Sequence, residues 1–196
     1  MNTPSHWLMT VAAGRVIQEK SKVPNPKWAL GLGSIAPDIP LYFLSFGGIW
    51  YYRAWHGWSS NDTARQLFTN LYYNDPVWIL LHNFLHSPTM LLILGFAVSL
   101  LGRLGIFTDR VARRFFFFLG ACLLHSFVDI LTHNDDGPLI FFPFNWTYRF
   151  SSPLSYWDPD HLGRQFMVFE AILAIVLIGF LFWHRFVKRP DRPDES

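Results

Sequence analysis

The residues best suited to chemistry lie in the run Leu123-Leu124-His125-Ser126-Phe127-Val128-Asp129-Ile130-Leu131-Thr132-His133. An imidazole, a carboxylate and a second imidazole follow one another at intervals of four. On a helix such positions lie along one face. Ionisable groups in an apolar run are costly unless partnered, and a metal ion is the economical partner. Imidazole nitrogen and carboxylate oxygen suit zinc, manganese or iron. His82 and His86 repeat the spacing of four, and on one helical face they would bring two more ligands to a bundle site. Asp38, in Ala36-Pro37-Asp38-Ile39-Pro40, adds a carboxylate. Together these donors suffice for one metal with an open position, or for two.

The elements that must position them are membrane helices. Hydrophobic residues make up 51% of the 196-residue chain and charged residues only 15%, against about a quarter charged in a soluble domain. The apolar residues gather in four runs, 28–52, 77–101, 115–131 and 167–187, and a span needs about 20 such residues. Arg110, Arg113 and Arg114 cut the third run short. Two prolines, Pro37 and Pro40, must break the first, and broken backbone at membrane depth is tolerated only beside protein or a wet cavity. The stretch Ala29-Leu30-Gly31-Leu32-Gly33-Ser34 permits close helix packing. The expected fold is all-α: a polytopic bundle of about four spans, plus a short N-terminal helix from His6 to about Gln18. One membrane-embedded domain covers 1–188, followed by a polar tail, 189–196.

Net charge is only +2, and its placement tells more. Basic residues cluster at Arg15 to Lys27, at Arg103 to Arg114 and at Arg185 to Arg192. The two remaining connections are poor in them. The positive-inside rule therefore predicts both termini in the cytoplasm. Trp50, Tyr51, Trp55 and Trp146 are among the aromatic residues placed at the membrane boundary. Basic residues that flank apolar spans argue against a nucleic-acid partner. The single cysteine, Cys122, reads as a small buried apolar residue. No cleavable signal peptide is expected, because Gln18-Glu19-Lys20 interrupts any apolar core. The loop 133–165, with four prolines, reads as ordered but irregular; Asp158-Pro159-Asp160 and Asn134-Asp135-Asp136-Gly137 read as turns.

Several of these motifs occur in a familiar order. Thr3-Pro4-Ser5-His6, Gly33-Ser34-Ile35-Ala36-Pro37-Asp38-Ile39, His82 to Ser87, and His125-x3-Asp129-Ile130-Leu131-Thr132 with Gly137-Pro138-Leu139 and Phe142-Pro143-Phe144 follow one another. This order resembles the bacterial membrane-bound, predicted metal-dependent hydrolases, also labelled LexA-binding inner-membrane-associated hydrolases. The resemblance covers most of residues 3–144. A more distant likeness is to zinc-dependent phospholipase C, which also carries a His-x3-Asp pair. The chain departs from the family pattern at Asn83 (arginine in the family), Leu85 (threonine) and Pro40 (an aspartate), and His82 and His86 lie one residue closer together.

The resemblance implies an inner-membrane enzyme with a divalent metal, zinc first and manganese or iron as alternatives. His6, Asp38, His82, His86, His125 and Asp129 would be its ligands. His133 and Glu170 are the candidate catalytic groups, Glu170 as a general base near the start of the fourth span. The expected reaction is hydrolysis of an ester or phosphoester by metal-activated water, on a substrate drawn from membrane lipids or otherwise lipid-linked. The alternative is a non-enzymatic integral protein: a metal or proton carrier, or a structural protein whose polar residues hold helices together. His6 poses a conflict, because it belongs with the ligands while the charge pattern sets it on the opposite side. Either the first helix re-enters the membrane or the orientation is inverted.

Overall fold

The computed structural model describes residues 1–21 and 26–186; the expected tail 189–196 lies outside them. The chain is all-α, with no strand among the described residues. Helix α1 spans Thr3–Ser21, α2 Lys27–Ile35, and α3 Ile39–Ile49 continues as a π-helical stretch, Trp50–Trp55. Helix α4 (Ser60–Ala64) runs through a second π-helical stretch (Arg65–Leu71) into α5 (Tyr72–Asn74). Then come α6 (Pro76–Asn83), α7 (Pro88–Arg103), α8 (Asp109–Thr132) and α9 (Gly163–Phe186).

Helices α8 and α9 are each long and apolar enough to cross a membrane. Thr108 caps α8 by accepting from the Val111 amide. The helix therefore starts at Asp109 and includes Arg110, Arg113 and Arg114, instead of being shortened by them. The pair α2–α3 passes the same test as one broken segment bent by 44°, as the prolines at 37 and 40 require. The pair α6–α7 is also broken, by 58°, where the sequence suggested one continuous span. Pro88 explains this. It lacks an N–H and holds Ser87 extended (φ −75°, ψ 126°), so no helix can run through it unbroken. Asp75 starts α6 by accepting from the Val77 and Trp78 amides at 2.9 and 3.0 Å.

Helix α8 is the centre of the bundle. Leu119 and Cys122 of α8 pack with Leu91 and Val98 of α7, and Cys122 is fully buried. On its other side α2 comes unusually near. A Cβ on Gly33 would sit 2.3 Å from the Phe118 carbonyl oxygen and 2.8 Å from the Ala121 Cβ. Ala29 and Ser34 beside it are fully buried. The small residues thus do what their pattern suggested.

Helix α1 is longer than expected and runs the length of the bundle. His6 near its start bonds Asp129 near the end of α8 at 2.8 Å. Glu19 near its other end pairs with His184 near the end of α9 at 2.8 Å. Residues 1–6 and the end of α9 therefore lie at opposite ends of the bundle. The described basic residues Lys20, Lys27, Arg103, Arg110 and Arg185 gather at the end away from Asp129. The guanidinium of Arg114 over the Trp28 ring, at 5.8 Å, ties two of these clusters together.

Gly33→Leu should lower the unfolding free energy by about 1–3 kcal/mol through overpacking. Gly95→Ala, with nothing within 4 Å of the added Cβ, should hold or raise it by about 0.5–1 kcal/mol. Thermal unfolding in detergent compares the two.

Candidate metal centre

Asp129 sits one turn after His125 on the buried face of α8, and the chain brings three other segments to its carboxylate. From α1, the His6 Nε2 lies 2.8 Å from Oδ1, and the Met1 amino group donates to the same oxygen at 2.9 Å. From the turn between α6 and α7, the His86 Nε2 lies 3.0 Å from Oδ2. From the break between α2 and α3, Asp38 enters beside His125. The His125 Nε2 stands 3.1 Å from Asp129 Oδ2 and 3.3 Å from Asp38 Oδ1.

The His125 ring is oriented by its other nitrogen. Nδ1 lies 2.7 Å from the Ser34 carbonyl oxygen, which can only accept, so Nδ1 carries a proton. Its Nε2 faces two carboxylate oxygens at ion-pair distance, without a hydrogen bond of good geometry. Imidazole nitrogens and carboxylate oxygens thus converge here, with the Met1 amino group on one oxygen of Asp129. One ligand atom from each of Asp38, His86, His125 and Asp129 can be chosen so that all lie within 4.8 Å of one another. His6 stacks on the His125 ring, centroids 3.7 Å apart, and approaches Asp129 from its other oxygen. Thr3 donates to Asp38, and Ser126 to the backbone carbonyl of His86. The four donors are therefore themselves held by neighbours, as ligand sets generally are.

His82 is not on one helix with His86, because α6 ends at Asn83. Its Nε2 bonds the Tyr72 hydroxyl at 3.1 Å, and its ring meets His86 edge to face at 4.8 Å. It stands behind the four donors. His133 lies just past α8 in extended backbone (φ −126°, ψ 127°), not on the helical face. Its Nδ1 donates to the Asp129 backbone carbonyl at 2.9 Å, and burial holds its imidazole below the ordinary histidine range. Glu170 falls in the third turn of α9, since that helix starts at Gly163. Both its oxygens accept from Asn2, from the backbone and side-chain amides, at 2.8 Å each. It fastens the start of α1.

The irregular loop after α8 is tied to the site by residues the sequence did not single out for that task. Asn83 is fully buried; its Oδ1 accepts from the Leu139 amide at 2.8 Å and its Nδ2 donates to Ile79. Tyr72 donates to the Asp136 carbonyl at 2.7 Å. Arg149 donates to the Gly137 carbonyl and lies over the Tyr72 and Tyr73 rings at 4.9 and 5.3 Å. Asp158 caps a 3-10 turn, Pro159–His161, as expected of a turn residue. A cavity of about 640 Å³ opens over the cluster, with Asp38, His86, Asp129 and His133 in its wall.

A family profile of YdjM inner membrane proteins matches residues 1–189. The chain belongs to the YdjM inner membrane protein family. Its apolar helices agree with that location. The family description names no reaction. No match to the chain was found among curated proteins or solved structures.

Tyr72→Phe should strand the buried His82 Nε2 and release the Asp136 carbonyl, lowering stability by about 1–3 kcal/mol. Tyr73→Phe, which breaks no hydrogen bond, is the control. Thermal unfolding in detergent reads the difference.

Proposed function

We propose that the chain is a membrane-embedded, metal-dependent hydrolase in which Asp38, His86, His125 and Asp129 hold one divalent cation. The observation that carries this reading is the convergence of the four donors around a His125 Nε2 with no hydrogen-bond partner. Two imidazoles and two carboxylates fit zinc first, with manganese and iron as alternatives. His6 acts through Asp129, and His82 through His86, as supporting residues. The bound cation would polarise an ester or phosphoester oxygen and ease deprotonation of water near neutral pH.

His133 is the best-placed general base. Its Nδ1 proton is committed to the Asp129 carbonyl, which leaves Nε2 free to take a proton. Glu170, with both oxygens engaged by Asn2, serves as an anchor. With the basic end of the bundle in the cytoplasm, the chain is multi-pass, and the site and residues 1–6 lie toward the other side. Charge alone set both termini in the cytoplasm; the bond from His6 to Asp129 is what puts the start of α1 with the site in this reading. A lipid or lipid-linked substrate follows from a cavity set among apolar helices.

A proton or metal carrier would need ionisable groups through both halves of the bundle. Between Arg114 and His125, α8 carries only apolar and small residues, Phe115 to Leu124. This favours a site over a path.

Zinc-loaded protein in detergent should hydrolyse at least one soluble or lipid phosphoester or ester. Chelation should abolish turnover, zinc should restore it, and His125→Ala should lower it by about 100-fold or more. His133→Ala should cost about 100-fold or more in kcat. A zinc-loaded protein that turns over none of these substrates would sink the reading.

A further inference from the structure

The end of the bundle away from the metal centre carries arginines that no carboxylate balances. Arg110, Arg113 and Arg114 stand exposed in the first two turns of α8. The helix dipole disfavours cations at that end, and Asp109 is the one acid in those turns. Among the described residues none of the three arginines pairs with a carboxylate. Lys27 and Trp28, at the start of α2, are exposed beside them. The Arg114 guanidinium lies 5.8 Å from the centre of the Trp28 ring, and the indole N–H has no acceptor among the described residues.

These charges sit at the level where a bilayer carries its phosphates. The run Phe115-Phe116-Phe117-Phe118 begins the apolar part of α8 directly after Arg114, and cations at the end of an apolar span lie in the headgroup layer. Phe116, Gly120 and Phe127 continue the Arg113 stripe down α8 at helical spacing, and all three are exposed. A Cβ on Gly120 would meet nothing within 4 Å, so the stripe is recessed between two rings. A nucleic acid or an acidic peptide would meet the arginines but not the apolar stripe. A phospholipid meets both, its phosphate on the guanidinium groups and an acyl chain along the rings.

We propose that Lys27, Trp28, Arg110, Arg113 and Arg114 bind the headgroup of an anionic phospholipid, with an acyl chain along Phe116, Gly120 and Phe127. A zwitterionic headgroup would bring its own ammonium against the same cations, which is why the anionic lipid is preferred. The site lies apart from the metal centre and does not depend on the hydrolase reading.

Native mass spectrometry of the full chain in detergent tests it, with phosphatidylglycerol and phosphatidylcholine of identical acyl chains as probes and a short DNA duplex as the rival. The parent should bind phosphatidylglycerol about tenfold tighter or more, and added salt should weaken that preference. Arg110→Gln/Arg113→Gln/Arg114→Gln should lose it. Arg53→Gln/Arg65→Gln/Arg164→Gln, which removes as many exposed charges elsewhere, should keep it. Arg110→Lys/Arg113→Lys/Arg114→Lys, which retains the charge, should keep part of it, and thermal unfolding in lipid-free detergent should match the parent in all three variants. Equal binding of the two lipids by the parent overturns the site. So does a preference that the first variant keeps, or that the first two lose alike, since the latter marks a diffuse effect of net charge. DNA binding without a lipid preference overturns it in favour of a nucleic-acid partner.

Discussion

An ionised carboxylate buried in an apolar helix is the constraint on which the rest of this molecule depends. Asp129 is 2% exposed, and an unpaired charge there would cost several kcal/mol. The chain meets this by bringing the Met1 amino group and His6 from the start of α1, and His86 from the α6–α7 turn, to its two oxygen atoms. Helix α1 must begin at the end of α8 so that His6 can reach Oδ1. The segment between α6 and α7 must leave the helix so that His86 can reach Oδ2. The break between α2 and α3 sets Asp38 against His125. Each departure from straight, continuous helices ends at this one group.

Breaking a helix inside an apolar bundle exposes backbone groups that lipid cannot satisfy, and the α6–α7 break and the loop after α8 partner each other. The Thr89 amide donates to the Ile140 carbonyl at 3.3 Å, and the Ser87 and Thr89 hydroxyls and the Asn83 side chain bond the loop's Ile140 carbonyl and Leu139 amide. The close α2–α8 contact at Gly33 puts the Ser34 carbonyl where it can orient His125. Packing and chemistry are therefore linked at adjacent residues: a larger side chain at 33 would shift the group that aims the imidazole at 125.

Much of this was legible in the residues themselves. His125 and Asp129 stand out because charge is rare in apolar helices, and the paired prolines around Asp38 announce a break. The break after Asn83 rests on Pro88 alone, and the matching four-residue spacing of His82 and His86 suggested a shared helical face instead. What diverts His82 is a tertiary partner ten residues earlier, Tyr72, and no local pattern reveals that bond. Helix α1 was read as ending near Gln18, whereas it runs to Ser21; its pairing with α9 through Glu19 and His184 shows why polar residues can end a helix that runs along the bundle. Of the basic clusters, the described residues Lys20, Lys27, Arg103, Arg110 and Arg185 lie at helix ends away from Asp129. The direction of α1 depends on where His6 finds its partner, which charge counting does not contain.

Metal stoichiometry by elemental mass spectrometry, on purified parent protein beside His86→Ala and His82→Ala, tests the centre most directly. A cation held by Asp38, His86, His125 and Asp129 predicts about one equivalent in the parent, loss in His86→Ala, and retention in His82→Ala. A parent that neither carries nor accepts zinc, manganese or iron would contradict it, and so would equal loss in the two variants.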